Sequence, residues 1–207
     1  ATFYSHDITS GQSGFNKINT ESLDSIIINE LKNDDYNALK KYNLEPNNYF
    51  VWSSHREENV TNEQNFLDMI DSIINLSKEK NKKIFFPAHP RTKMIIKKYN
   101  ITLNDNIILS EPIGIIDFCY LQMNSLCVIS DSGTLTEETD ILRFKGIMLR
   151  TSTEKPEGIE AGTIAIGNIQ WNILKDVIKL VLSKDLNDND KIFDYICDNV
   201  SDKVCKI

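Results

Sequence analysis

Six short apolar runs, Tyr49–Trp52, Ile84–Phe86, Ile107–Leu109, Leu126–Ile129, Gly146–Leu149 and Thr163–Ile166, constrain this chain more than any other feature. None alternates polar with apolar residues, so none reads as a strand with one wet face. Each reads as a strand buried on both sides. Most are separated by stretches with apolar residues at helical spacing: Asn62 to Lys80, a helix after Pro90, Ile116 to Met123, and Gly133 to about Arg143. Strands and helices in alternation build a parallel sheet covered on both faces and joined by right-handed crossovers. The expected fold class is α/β, a doubly wound parallel sheet.

Ahead of the first run, Leu23, Ile26, Ile27 and Leu31 predict a helix within Glu21 to Tyr42. Residues 1–20, with Thr9-Ser10-Gly11-Gln12-Ser13-Gly14, have the composition of a linker or of the remnant of a preceding domain. The acidic, Asn-rich Asp185 to Asp190 predicts a loop between two terminal helices. The main domain is therefore expected over residues 21–207.

Composition closes off several function classes. A chain of 207 residues can bury about 70% of its unfolded surface. With 41% hydrophobic residues and only 8 Gly and 5 Pro, collagen-like, low-complexity and disordered classes are excluded. A net charge of -7 argues against nucleic acid and against anionic membrane as partners, so any bound phosphate must be held by local groups. Cys119, Cys127, Cys197 and Cys205 form no C-x-x-C pair, and two of them fall in apolar segments. That pattern predicts a reducing compartment. With neither a basic-then-apolar leader at the start nor an apolar run of about 18 residues, the expected location is cytoplasmic.

In an open α/β sheet, ligands bind outside the carboxyl ends of the strands, where helix N-termini present unpaired N–H groups. Five polar clusters follow predicted strands. Ser130-Asp131-Ser132-Gly133-Thr134, leading into Glu137 and Glu138, has the small residues and hydroxyls of a diphosphate cradle. The same residues also fit a plain helix start, with Asp131 or Ser132 as cap and Gly133 easing the turn. Ser54-His55-Arg56-Glu57-Glu58-Asn59 offers an imidazole, a phosphate-matching guanidinium and carboxylates to orient them, or else a solvated loop. Phe86-Pro87-Ala88-His89-Pro90-Arg91 is a turn whose Arg91 is able to reach an anion. Phe118, after Glu111-Pro112, can stack on a base or fill the core. The long polar stretch Arg150 to Thr163 is the fifth, and long loops in compact domains tend to be functional. With only His6, His55 and His89 and no H-E-x-x-H or Cys cluster, no metal site is expected. Ser132 lacks a G-x-S-x-G elbow, which disfavours a serine hydrolase.

The five clusters in this order, His-Arg-x-Glu-Asn, Pro-x-His-Pro, Glu-Pro with a following Phe, Ser-Asp-Ser-Gly with Glu-Glu, and Arg-x-x-Thr-Glu-x-Pro-Glu-x-x-x-Ala-Gly-Thr, resemble the C-terminal half of the non-hydrolysing UDP-N-acetylglucosamine 2-epimerases. The resemblance runs from about Tyr49 to Gly167. It implies a Rossmann-like domain forming one half of a glycosyltransferase B arrangement. It also implies a partner N-terminal Rossmann-like domain, a possible homodimer and no cofactor. By position it implies that Phe118 and nearby backbone hold uracil, Ser132 and Gly133 the β-phosphate, and Glu138 the ribose hydroxyls. His55 and Arg56 would face the diphosphate and hexose, His55 as the catalytic residue, with Glu58, His89 and Arg150 in the substrate-binding set. The implied reaction eliminates UDP to a 2-acetamidoglucal and re-adds it with inversion at carbon 2. The family's acid and base carboxylates belong to the first domain, so this chain alone is expected to be inactive.

Two positions depart from the family pattern: Thr134 replaces a second glycine, and the first loop reads His-Arg-Glu-Glu-Asn. With Leu121-Gln122-Met123-Asn124-Ser125 these resemble the branch acting on modified UDP-sugars, such as 6-deoxy or 2,3-diacetamido sugars. The ligand expected is UDP and a UDP-N-acetylhexosamine. The competing reading is a nucleotide-sugar-binding regulatory or scaffold module without chemistry of its own.

Overall fold

The computed structural model describes residues 37–150, 153–185, 192 and 195. The expected linker, most of the helix expected before Tyr42, the loop after Asp185, the last helix, Cys197 and Cys205 lie outside them. The strands are β1 (Tyr49–Ser53), β2 (Lys83–Pro87), β3 (Ile107–Ser110), β4 (Cys127–Ser130), β5 (Gly146–Leu149) and β6 (Ile164–Gly167). They form one sheet in the order β3-β2-β1-β4-β5-β6, and every pair is parallel. The doubly wound expectation is met, with strand limits shifted by a residue or two. The helices are α1 (Ala38–Lys41), α2 (Glu57–Thr61), α3 (Glu63–Lys80), α4 (Pro90–Lys98), α5 (Ile115–Met123), α6 (Leu135–Leu142), α7 (Glu157–Glu160) and α8 (Trp171–Ser183).

The strands are apolar throughout because both faces are covered. Successive side chains point to opposite faces, so each strand feeds two cores. Phe50, Trp52, Ile84, Phe86, Ile129 and Ile147 pack with Phe66, Met69, Ile73 and Leu76 of α3 and Leu174 and Ile178 of α8. Tyr49, Val51, Phe85, Val128 and Met148 pack on the other side with Cys119 and Leu121 of α5 and Leu135 of α6. Burying one such side chain contributes ~1.5–3 kcal/mol, so leaving either face wet would cost more than a typical domain's whole stability.

Local signals set the helix limits. In α3 the buried residues Phe66, Met69, Ile70, Ile73 and Leu76 recur at helical spacing. Asn62 caps its start by accepting from Asn65 N–H at 3.0 Å. Lys78 and Lys80 favour its C-terminal dipole, and Asn81 ends it in the left-handed region at φ 48°.

The sheet order determines where a ligand can sit. From β1 the chain winds out through β2 and β3, then returns to β4 on the other side of β1. The connections leaving β1 and β4 therefore diverge, opening a crevice at the switch point. The pairing of Ser53 with Ser130 brings the two strand ends level, so the loops from Ser54 and from Asp131 lie side by side.

Two local expectations are corrected. The helix expected from Gly133 begins at Leu135, since Ser132 to Thr134 form the turn. The stretch Arg150 to Thr163 is not a structureless loop but carries α7, with Gly158 packed so close to α6 that a Cβ there would lie 2.4 Å from Thr136 Cγ2.

Candidate functional site

At the switch point one carboxylate organises both loops. Asp131, directly after β4, is fully buried. Its Oδ2 accepts from Ser54 Oγ at 2.6 Å, Arg56 N–H at 3.0 Å and Asn59 Nδ2 at 2.9 Å. Its Oδ1 accepts from His55 N–H at 3.1 Å, and His55 Nδ1 stands 3.7 Å from the same oxygen. Of the two readings of this segment, the one with Asp131 as a cap is not met: α6 has no side-chain cap, and the carboxylate is spent across the crevice. A buried carboxylate is tolerable only when its lone pairs are filled, and four donors from the β1 loop fill them. The effect is to pin the backbone of His55 and Arg56 and leave both side chains on the surface of the crevice.

Arg150, following β5, completes the pinning from the other side. Its Nε and Nη2 donate to Asp131 carbonyl oxygen at 3.1 and 3.0 Å. Its guanidinium lies so close to Gly133 that a Cβ there would be 3.1 Å from Nη2. A side chain there would make the guanidinium give way by a few tenths of an ångström, and Arg150 both props the cradle and places positive charge beside it.

Within the cradle the hydroxyls form a directed chain. Thr134 Oγ1 donates to Glu138 Oε1 at 2.7 Å. A hydroxyl has one proton, so the 2.9 Å contact between Ser132 and Thr134 has Ser132 Oγ as donor. A phosphate seated here would redirect the Ser132 proton toward itself. Glu138 Oε2 accepts from Gln122 Nε2 at 2.7 Å, and Gln122 is buried on α5. The Gln122 Oε1 has no partner among the described residues. Cys119, one turn earlier on α5, faces the same carboxylate. Burial first and the Glu138 charge second push its thiol up to about 12, and burial alone pushes Cys127 up.

The remaining expected residues take varied places. Arg56 pairs with Glu58 at 3.1 Å, with Glu58 exposed. Phe118 on α5 is half-buried against the second core face. His89, at the end of β2 and one strand from β1, caps α4: its Nδ1 accepts from Arg91 N–H at 3.2 Å. Behind the cradle, Lys155 pairs with Glu137, and Tyr195 O–H donates to Glu157 Oε1 at 2.5 Å, which holds the Glu157 carboxyl below its ordinary value. Those two contacts tie α6, α7 and Tyr195 together.

Sequence reading singled out neither Asp131 as the organiser nor Gln122 as the partner of Glu138. A lone amide among the apolar residues of α5, on a position turned inward, was the available signal for Gln122. For Asp131 no local signal existed, because its partners lie 72 to 77 positions away. No group of three or more metal-ligating side chains occurs among the described residues. No helix among them is long and apolar enough to cross a membrane.

A family model described as UDP-N-acetylglucosamine 2-epimerase matches residues 12–207. The UDP-N-acetylglucosamine 2-epimerase of Methanocaldococcus jannaschii is 32% identical over 177 residues, covering 83% of this chain and 48% of that protein. The enzyme of the same name from Methanococcus maripaludis is 36% identical over 140 residues, covering 65% and 38%. Among solved structures, the M. jannaschii UDP-GlcNAc 2-epimerase superposes with a TM-score of 0.71 at 30% identity, covering 79% of this chain and 48% of that one. The Rickettsia bellii UDP-N-acetylglucosamine 2-epimerase superposes at 0.70 and 30% identity, covering 87% and 48%. The M. jannaschii protein has also been solved in complex with UDP-GlcNAc and UDP. This chain spans about half the length of these relatives. From the family match over nearly its whole length and the shared Rossmann-like sheet, the chain belongs to the UDP-N-acetylglucosamine 2-epimerase family.

Proposed function

We propose that this chain is the UDP-holding half of an enzyme that inverts carbon 2 of a UDP-linked N-acetylhexosamine. The observation that carries this reading is one buried carboxylate at the switch point of the sheet, Asp131, which holds the backbone of His55 and Arg56 beside the Ser132–Gly133 turn that follows it in the chain. Relatives named for the same reaction, one of them solved with UDP-GlcNAc and UDP, support the ligand. Their length, about twice the part matched here, supports a second domain across the crevice.

In this reading Phe118 stacks on uracil, Glu138 accepts from the ribose hydroxyls, and the Ser132–Gly133 turn ahead of α6 takes the β-phosphate, with the Ser132 hydroxyl as a donor. Arg56, oriented by Glu58, and Arg150 supply positive charge to the diphosphate. A base on the other half removes the carbon 2 proton while the bond from carbon 1 to the UDP oxygen breaks, its electron pair leaving with UDP. The 2-acetamidoglucal then takes UDP back at carbon 1 and a proton at carbon 2 from the opposite face. His55 meets the charge that builds on the departing diphosphate. His89, occupied as the cap of α4, lies one strand further out and belongs to the outer rim of the sugar side.

Two measurements test the proposal. The chain by itself is expected to bind UDP but to introduce no solvent deuterium at carbon 2 of UDP-N-acetylglucosamine. Adding the other half should restore exchange. Deuterium incorporation by this chain alone overturns the two-half account. For the base site, Phe118→Ala is expected to weaken UDP about tenfold or more, since stacking contributes ~1–3 kcal/mol per base. Calorimetry giving an unchanged affinity removes Phe118 from the site.

A further inference from the structure

The geometry points to Gln122 and Thr134 as positioning residues that lock Glu138 into a ribose-reading carboxylate, so that the pair sets the preference for a ribonucleotide over its 2′-deoxy counterpart. This rests on the UDP reading given above and deepens it.

Glu138 is held at both oxygens: Oε1 by the Thr134 hydroxyl at 2.7 Å and Oε2 by the Gln122 amide at 2.7 Å. Each holder comes from a different direction. Thr134 lies in the turn before α6, and Gln122 lies on α5, sixteen positions away in sequence. A carboxylate has about four lone-pair sites, so two remain, one on each oxygen. That matches a vicinal diol, which presents two hydroxyl donors side by side. A free glutamate would have to give up rotamer freedom to accept both, whereas this one is already arranged.

Gln122 has no structural reason to be an amide. It is buried on a helix whose other inward residues, Cys119 and Leu121, are apolar. Its carbonyl oxygen has no partner among the described residues. A half-satisfied buried amide is a net cost to the fold, and the one bond it makes goes to Glu138. Phe118 precedes Gln122 by four positions on α5, which puts the two on one helix face. A nucleoside whose base lies on Phe118 would therefore bring its sugar next to the carboxylate that Gln122 holds, with the phosphates continuing to Ser132.

The test is calorimetric titration of the full chain with UDP and with 2′-deoxy-UDP. The unsubstituted chain is expected to favour UDP about tenfold or more, because a site built to accept from a hydroxyl rejects a ligand lacking it. Gln122→Met keeps the volume and removes the donor. It is expected to weaken UDP about fivefold or more while moving 2′-deoxy-UDP by less than about twofold, collapsing the ratio. Thr134 is exposed, so Thr134→Val probes the other holder without disturbing the core, and should act in the same direction. Thr134→Ser restores the hydroxyl and should restore the ratio. Equal loss for both nucleotides in Gln122→Met and Thr134→Val, or an unsubstituted chain that binds both nucleotides equally, overturns the positioning role and leaves the UDP reading intact. An unsubstituted chain that binds neither nucleotide overturns both.

Discussion

Replacing His55 by asparagine, in the enzyme completed by its other half, is expected to lower turnover about a hundredfold or more while weakening UDP by less than about tenfold. Asparagine keeps a polar group of similar reach, but it cannot carry a proton. An imidazole can hold a proton on either ring nitrogen and donate it, and the bond to be broken leaves a negative charge on UDP. An interaction that strengthens only as that charge develops affects turnover far more than ground-state affinity. The backbone of His55 is held by Asp131 irrespective of its side chain, so the substitution should leave the loop in place. Steady-state rates and UDP affinity measured on the same preparations decide the matter. Near-normal turnover with weakened UDP would reduce His55 to a ligand contact.

Asp131→Ala is expected to destabilise the domain itself as well as the site. It orphans the Ser54 hydroxyl, the His55 and Arg56 N–H groups and the Asn59 amide together, of which Ser54 and Asn59 are buried. At ~1–3 kcal/mol per unsatisfied buried donor, and with water able to reach the exposed part of the loop, the loss is about 3 kcal/mol or more. For a domain of this size that corresponds to a fall in Tm of roughly 6–12 °C. Asp131→Asn keeps the shape and one acceptor oxygen but turns an NH2 toward other donors, so its Tm should lie between the two. UDP binding should weaken in both variants, because the loop carrying His55 and Arg56 loses its anchor. Thermal unfolding within about 2 °C of the unsubstituted chain for Asp131→Ala would show that water replaces the carboxylate and that the loop holds without it.

How much of this was legible in the sequence varies with the range of the interaction. The run Gly146 to Leu149 is apolar at four successive positions, which only a doubly covered strand tolerates, and its limits were readable to the residue. Asn62, placed just before an apolar helical pattern, marked the start of α3 for the same local reason. The His55 and Ser132 clusters stood out because each follows an apolar strand directly. Their mutual contact did not. Asp131 and Ser132 ahead of a helix look alike whether the carboxylate caps that helix or reaches across to another loop, and in this chain it reaches across. Arg150 is readable as a cation after β5, but its use as a prop for the Asp131 carbonyl depends on where β5 lies beside β4.

The sequence by itself determined the α/β class, the six strands, the five polar clusters at their ends and the resemblance to one epimerase family. Each of these rests on hydrophobic period, turn chemistry or residue order within a short window, where neighbours along the chain set the outcome. Only the tertiary structure decided which clusters meet. Placing β4 beside β1, with Ser53 level with Ser130, brings Asp131 within hydrogen-bonding distance of residues more than 70 positions away. Placing α5 and α6 over the same face of the sheet sets the Gln122 amide on Glu138. A hydrogen bond falls off within a fraction of an ångström, so a difference of one residue in register would break every one of these contacts while leaving the local sequence signals unchanged.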